Sequence, residues 1–379
     1  MDFGFSEDQE QLRRAVREYF ASELPITFAR AMLDESRIFP RESWQALADL
    51  GWVGLAVPES LGGSGLGLLD LALVLEEAGA VALPGPYVST VSLALPLLAR
   101  AADESQKKAF VPEVAAGRRV LACAIAERRA RWTMDAIDMR AQRDGSSYVL
   151  GGTKLFVPDA GDADSMIVAA LLDDGIGFFL LPTDVPGLVI KPMRTVDQTR
   201  RLFTASFEQV RLESPCLLGG RAHDSSVLDH VIDGAKVALA AEMVGAADRT
   251  LAMTVDYVGL REQFGRPIAT FQAIQHRCAD MKVAVEHARS LVYYAAWACD
   301  TDAPDRRLAA AMAKAFASDQ CPRVAADAVQ LHGGIGFTWE HDLHIFFKRL
   351  KADEQTYGDA TVNRELVAQY LDKNGDRYI

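Results

Sequence analysis

Between Val227 and Gly265 the chain reads "VLDHVIDGAKVALAAEMVGAADRTLAMTVDYVGLREQFG", without proline and rich in Ala, Leu and Met. Such a stretch favours uninterrupted helix, and a helix of that length is stable in water chiefly by burying its apolar side against comparable helices. Two suitable partners follow, over Ile274–Cys299 and Arg306–Leu331. The fold must therefore contain a long-helix bundle. From about Arg118 to Ser225 the period is different. "VLACAIAE", "IDMRAQR", "SYVLGGTKLFV", "SMIVAALL", "IGFFLLP" and "RLFTASFEQVRL" are short runs broken by Gly, Asp and Pro, which predicts an antiparallel β-region. Before it, Ser6 and Gln9 match a capping box, and Leu12, Val16, Tyr19 and Phe20 recur at helical spacing. "RESWQALADLGW" and "LLDLALVLEEAGA" predict further helices. The "PESLGGSGLG" between them lacks both a preceding strand and a Gly-Lys-Ser/Thr, and reads as a loop rather than a phosphate cradle. The order is α–β–α, fold class α+β, with no internal repeat.

Composition bounds the function. The 379 residues allow two or three domains with a sizeable core. A formal charge of −12 disfavours nonspecific binding to nucleic acid, which needs basic surface, but a local basic pocket could still take an anionic ligand. The acidic, amphipathic start "MDFGFSEDQEQLRRAVREYF" does not read as a signal peptide, and no apolar run reaches the ~20 residues of a membrane span. Cys123, Cys216, Cys278, Cys299 and Cys321 are dispersed without a CxxC, as expected of free thiols in a reducing cytoplasm.

Two blocks interrupt the helical pattern. In "REQFGRPIATFQAIQHRCADM", Gly265 and Pro267 predict the end of one helix and Thr270 the approach to the next. That places Arg261, Gln263 and Phe264 at a helix C-terminus and Gln272 in a first helical turn. An arginine can fork onto phosphate oxygens, a phenyl ring can stack on a planar ring, and a helix N-terminus offers free N–H groups. In "QLHGGIGFTWE", Gly333, Gly334 and Gly336 allow close backbone approach to a ligand. Each block alone also fits an ordinary turn or helix cap. His341 and His344, with Glu340 and Asp342 beside them, show no third ligand block, so a helix start is expected there rather than a metal site.

Together, the order and spacing of the blocks within an α–β–α chain resemble the acyl-CoA dehydrogenase family, over the whole length. The resemblance implies an N-terminal helical domain (1–117), a middle antiparallel β-domain (118–224) and a C-terminal four-helix-bundle domain (225–379). It implies FAD held between subunits of a tetramer, with the RxxFG block of one subunit and the QxxGG block of a neighbour on the adenine and pyrophosphate end. Arg261, Gln263, Phe264, Gln272, Gln330, Gly333 and Gly334 would then be FAD contacts. It also implies an acyl-CoA substrate and an electron-transfer flavoprotein as acceptor. Asp233 and Lys236 match a family Asp/Arg pair near the CoA ligand, with Lys in place of Arg.

The middle region departs from the family pattern. The loop that usually reads SEPxAGSD is "AERRARWTMD", keeping Glu127 but placing Arg128, Arg129 and Arg131 where glycines stand. The strand that usually carries Trp and a hydroxyl residue near the flavin is "KLFVPDA", with Phe156 at the Trp position and Pro158 at the hydroxyl position. Proline offers neither hydroxyl nor N–H. The family reaction also needs a carboxylate to take the substrate's α-proton. Counting without gaps from Gly333, one family position for it falls on Tyr357; the other, on the long helix, falls on Ala235. A phenol titrating near ~10 is a poor base at neutral pH. Glu242, in an apolar setting two turns beyond Ala235, and Glu354, one turn before Tyr357, are the remaining candidates; each also fits a structural ion pair, Glu354 with Lys351 or Arg349. The expectation is a subunit of a heterotetramer resembling the α2β2 enzymes of bacterial steroid side-chain degradation, whose partner chain brings the carboxylate. The alternatives are a homotetramer using Glu242 or Glu354, and a non-catalytic scaffold or CoA-binding subunit.

Overall fold

The computed structural model describes residues 4–34 and 38–374. Helices α1 (Glu7–Glu23), α2 (Ile26–Ala31), α3 (Arg41–Asp49), α4 (Leu68–Ala80), α5 (Tyr87–Ser89), α6 (Leu95–Ala101) and α7 (Glu104–Ala115) come first. Strands β1 (Leu121–Ala124), β2 (Ala141–Asp144), β3 (Ser147–Pro158), β4 (Ser165–Leu172), β5 (Gly175–Pro182), β6 (Leu188–Pro192) and β7 (Leu202–Glu213) follow. Then come α8 (Ser225–Leu260), the short strands β8 (Glu262–Gln263) and β9 (Arg266–Pro267), and helices α9 (Gln272–Asp300), α10 (Arg306–His332), α11 (Leu343–Gln355) and α12 (Ala360–Asn374). The α–β–α order read from the sequence is the order found. Among the described residues, no helix is long and apolar enough to cross a membrane.

Packing regroups the segments into two compact units. One contains Met1–Leu33, Leu68–Leu83 and Lys236–Ile379; the other contains Asp34–Gly67 and Pro84–Ala235. By this packing α1, α2 and α4 group with the C-terminal helices, and α3 and α5 to α7 with the strands.

In the first unit, α1 opens with the expected capping box: the Gln9 N–H donates to Ser6 Oγ at 3.2 Å and the Ser6 N–H to Gln9 Oε1 at 3.0 Å. Its Val16 and Phe20 are buried. Arg13 reaches Glu76 and Glu77 of α4 and Arg17 reaches Glu77, at 2.7–3.1 Å, and Arg289 of α9 adds a second guanidinium to Glu76 at 3.0 Å. Helix α4 crosses α8 with the two backbones in contact. A Cβ on Gly79 would sit 2.0 Å from the Glu242 carbonyl oxygen, and one on Gly245 would sit 1.7 Å from that of Glu76. Only glycine fits such a crossing, and it explains why α4 is held against a helix far away in the sequence.

The second unit holds a 3-stranded sheet of order β1-β4-β5 and a 4-stranded sheet of order β2-β3-β7-β6. The expected antiparallel pairing holds for β2 with β3, β3 with β7, β4 with β5 and β6 with β7, and is corrected for β1, which pairs with β4 in parallel, Leu121 opposite Ser165. The intervening chain crosses to the other sheet as β2 and β3 before β4 returns beside β1, the kind of crossover that parallel pairing requires. Strand β6, "LVIKP", went unpredicted; it lies at the edge of its sheet, where a terminal Pro192 is tolerated.

Candidate functional site

In the first unit, the RxxFG block is not a helix end. Helix α8 stops at Leu260, and Glu262–Gln263 pairs antiparallel with Arg266–Pro267. The turn between them, Phe264 (φ 56°) and Gly265 (φ 78°), has both central residues at positive φ. That is the two-residue hairpin turn whose twist suits the flanking strands, and the Asn/Asp-Gly preference at such turns explains why a Phe-Gly pair was not read as one. Arg261, Gln263 and Gln272 are exposed, and Phe264 is 91% exposed. The Arg261 side chain has no hydrogen bond or ion pair among the described residues. Gln272 is the first residue of α9, whose N-cap Phe271 supplies no side-chain hydrogen bond; the Ile274 N–H donates to the Phe271 carbonyl at 3.0 Å, and the Gln272 and Ala273 N–H groups stay open to a ligand.

The QxxGG block lies at the end of α10. Gly333 has φ 64° and ψ −138°, a conformation open to glycine alone. Gln330 and Gly334 are exposed, and a Cβ added at Gly333 or Gly334 would meet nothing within 4 Å. Tyr257 and His332 join the two blocks: their rings stack with centroids 4.3 Å apart. A free guanidinium, an exposed phenyl ring, an uncapped helix start and an open glycine surface fit the phosphates and ring of a dinucleotide such as FAD.

The two candidate carboxylates are both engaged. Glu242 and Arg349 form an ion pair of 2.5 Å in which each side chain is 0% exposed. Arg349 also donates to the Leu83 carbonyl at 3.2 and 3.3 Å. The apolar neighbours of Glu242 are real, but the Arg349 guanidinium on its carboxylate removes the unpartnered state a base needs. Glu354 pairs with Lys351 on a partly exposed face. Ala235 and Tyr357, where the family resemblance puts the expected base positions, are both buried.

The turn carrying Tyr357 is held from two other helices. Tyr357 has φ 58° and Gly358 φ 91°. Lys314 of α10, fully buried, donates to Ser318 Oγ at 2.6 Å, to the Glu354 carbonyl at 3.1 Å and to the Gly358 carbonyl at 3.0 Å. Burial pushes the Lys314 ammonium down to about 8, against the pull of Asp353. Asn363 of α12 donates to the Gly358 and Asp359 carbonyls at 2.8 and 3.0 Å. Sequence reasoning passed over Lys314; its signal is a lone cation in the small-residue run "LAAAMAKAFAS".

In the second unit, buried Lys154 donates to Glu127 Oε1 at 2.6 Å and to the Ile125 carbonyl at 3.1 Å. Burial lowers the Lys154 pKa while Glu127 raises it. Glu127 accepts from the Asp138 and Met139 N–H groups at 3.0 Å, closing the neck of the arginine-bearing loop. Arg129 is used within that loop, on the Asp135 carbonyl and Asp138, while Arg128 and Arg131 face solvent. Phe156 is half-buried at φ 54°, in a register break between Lys154 and Val157. Asp233 and Lys236 lie one turn apart on α8 and are both buried. His341 caps α11 by accepting the Leu343 N–H at 3.2 Å, and no metal-ligand cluster occurs among the described residues.

Family models described as acyl-CoA dehydrogenase N-terminal, middle and C-terminal domains match residues 6–118, 122–210 and 226–371. The acyl-CoA dehydrogenase IpdE2 of Mycobacterium tuberculosis is 33% identical, over 92% of this chain and 92% of its own. The ChsE4-ChsE5 complex of the same organism contains a chain with TM-score 0.89 and 28% identity, covering 98% of this chain and 99% of that one. A chain of the Tcur3481-Tcur3483 steroid ACAD gives a TM-score of 0.85 at 30% identity, covering 98% and 99%.

Proposed function

The chain belongs to the acyl-CoA dehydrogenase family, and from that premise we propose that it is the base-lacking subunit of a heteromeric, FAD-dependent enzyme that desaturates an acyl-CoA thioester between Cα and Cβ. The observation that carries this reading is the state of the carboxylates. Tyr357 and Ala235 occupy the base positions, Glu242 is tied to Arg349 in a dry ion pair, and Glu354 is tied to Lys351. A partner chain of the same family, with a glutamate at one of the two positions, supplies the proton acceptor. When bound, FAD supplies the acceptor for the substrate's β-hydride.

This chain's contribution is binding and orientation. Arg261 and the first-turn N–H groups of α9 take phosphate oxygens, with Gln263 and Gln272 as additional polar contacts and Phe264 against the ring system. Gln330, Gly333 and Gly334 offer a close-approach surface to a neighbouring subunit's cofactor. Phe156 stands in for the family Trp beside the flavin, and Asp233 with Lys236 serves the CoA side. A steroid side-chain thioester is the substrate class we favour, from the likeness to a steroid ACAD chain. An electron-transfer flavoprotein is the proposed electron acceptor.

A homotetramer using Glu354 is the second reading, favoured by that residue's place one turn before Tyr357 and its side-chain exposure of only 21%. Purification decides between them. The chain alone should carry little flavin and no turnover, and co-expression with a glutamate-bearing family partner should give a yellow, active complex. Full flavin and turnover in the single chain would overturn the heteromer, and absence of flavin in both preparations would leave only a scaffold role.

A further inference from the structure

The hairpin after α8 and the glycine turn after α10 are about seventy residues apart in sequence, yet one side-chain pair joins them. Tyr257 lies one helical turn before Arg261, whose N–H donates to the Tyr257 carbonyl at 2.8 Å. His332 is the last residue of α10, immediately before Gly333. The two rings are nearly parallel, 19° apart, with centroids at 4.3 Å. The Tyr257 hydroxyl also donates to the His332 carbonyl at 3.3 Å, so it touches the peptide unit that leads into the glycine turn. The imidazole itself cannot rotate freely: its Nδ1–H donates to the Ala328 carbonyl at 2.8 Å, and the His341 ring meets it edge-on at 4.7 Å. His332 is 3% exposed and its Nε2 has no hydrogen-bond partner, so the ring is held by packing and by that single backbone bond. Any displacement of the last turn of α8 must therefore be felt at the first peptide of the glycine turn.

We propose that Tyr257 and His332 are a positioning pair that couples the Arg261–Pro267 hairpin to the Gly333–Phe337 turn, so that a dinucleotide seated on either segment preorders the other. The inference rests on the FAD reading above. Under that reading the two segments of one subunit serve different FAD molecules, and the pair makes occupancy of one site favour occupancy of the next. Neither residue touches the cofactor; both act through the backbone that does.

The test uses deflavinated protein, as the single chain or as the complex if the single chain holds no flavin. FAD is titrated by flavin fluorescence into wild type, Tyr257→Phe and Tyr257→Leu, and amide exchange is followed in the cofactor-free forms. Tyr257→Phe keeps the stack and loses one hydrogen bond, which should weaken FAD binding about three- to tenfold with the melting temperature of the cofactor-free protein lowered too little to account for that loss. Tyr257→Leu should weaken binding further, flatten any cooperativity in the titration, and speed exchange at the amides of residues 334–337, which lie on a different helix. A purely structural role would move melting and affinity together. Affinity within twofold of wild type for both variants, with exchange at 334–337 unchanged, overturns the coupling while leaving the cofactor reading intact. Wild-type protein that takes up no FAD in either assembly overturns both.

Discussion

Replacing Glu242 by glutamine separates a catalytic carboxylate from a structural one. In the native chain Glu242 and Arg349 meet at 2.5 Å with both side chains 0% exposed. Removing the negative charge takes away the buried guanidinium's carboxylate partner, with the Leu83 carbonyl still accepting from it at 3.2 and 3.3 Å, beside the new amide oxygen. Breaking one side of a buried pair costs about 3–5 kcal/mol, because the surviving charge is uncompensated. Glutamine keeps one acceptor, so the lower end, about 3 kcal/mol, is the expected loss. At 2–4 °C per kcal/mol, the melting temperature should fall by roughly 6–12 °C. Turnover per bound FAD, measured at 20 °C in the active assembly, should stay within a few-fold of wild type. The double variant Glu242→Gln/Arg349→Met should recover part of the lost stability, since an apolar replacement removes the orphaned charge. An unchanged melting temperature together with a turnover loss of about 100-fold or more, the low end for a general base, would refute the reasoning and make Glu242 the base.

Three further outcomes follow from the same geometry. Arg261→Ala removes an exposed, unengaged guanidinium and should weaken FAD binding by roughly 1.5–3 kcal/mol, seen as flavin lost on dialysis with the fold intact. Lys314 titrates near 8 in the folded chain, below its ordinary 10.5, so the folded state binds fewer protons than the unfolded state between those values. Its penalty is present in full below pH 8 and is relieved as pH rises toward 10.5, by about 3 kcal/mol in all. The urea midpoint of wild type minus that of Lys314→Met should therefore climb across that window, and a flat difference would remove Lys314 from the buried set. Tyr357→Glu restores a carboxylate on a well-held turn but leaves Pro158 and the arginine loop as they are. The single chain should stay on the order of 100-fold or more below a normal family member, since small misplacements of reacting atoms cost that much, and family-level turnover on an acyl-CoA would show that the rest of the site is intact.

What was legible in the sequence was whatever a local rule governs. The helices α8, α9 and α10 announced themselves by length, and strands β3, β4, β5 and β7 by their bounded apolar runs. The capping box of Ser6 and Gln9 formed as written. What was not legible depends on partners far away in the chain. The environment of Glu242 looked like a desolvated base because its helical neighbours are Ala, Met and Val; Arg349 arrives from α11, more than a hundred residues on. The parallel pairing of β1 with β4 depends on a crossover that no periodicity encodes. The hairpin at Phe264 was missed because a bulky residue occupies a positive-φ position that usually selects Gly, Asn or Asp. The Lys314 clamp is invisible for the same non-local reason, as its acceptors lie on α11 and the turn beyond it.

The interleaving of the two compact units sets a timetable for synthesis. The unit that ends at Ala235 has its last segment in hand when α8 is only beginning to appear. Helices α1 and α4 belong to the other unit and are made well before the helices they are destined to meet. At ~5–20 residues per second, α4 emerges on the order of ten seconds or more before α8. During that interval Leu71, Leu73, Val74 and Leu75, all buried in the finished fold, have no native surface to rest on. The Gly79–Gly245 crossing then closes a long chain loop, a step that is slow because the entropy is lost before the contact forms. A nascent chain of this design depends on chaperone cover for its early helices, and truncation anywhere between α4 and α10 strands them.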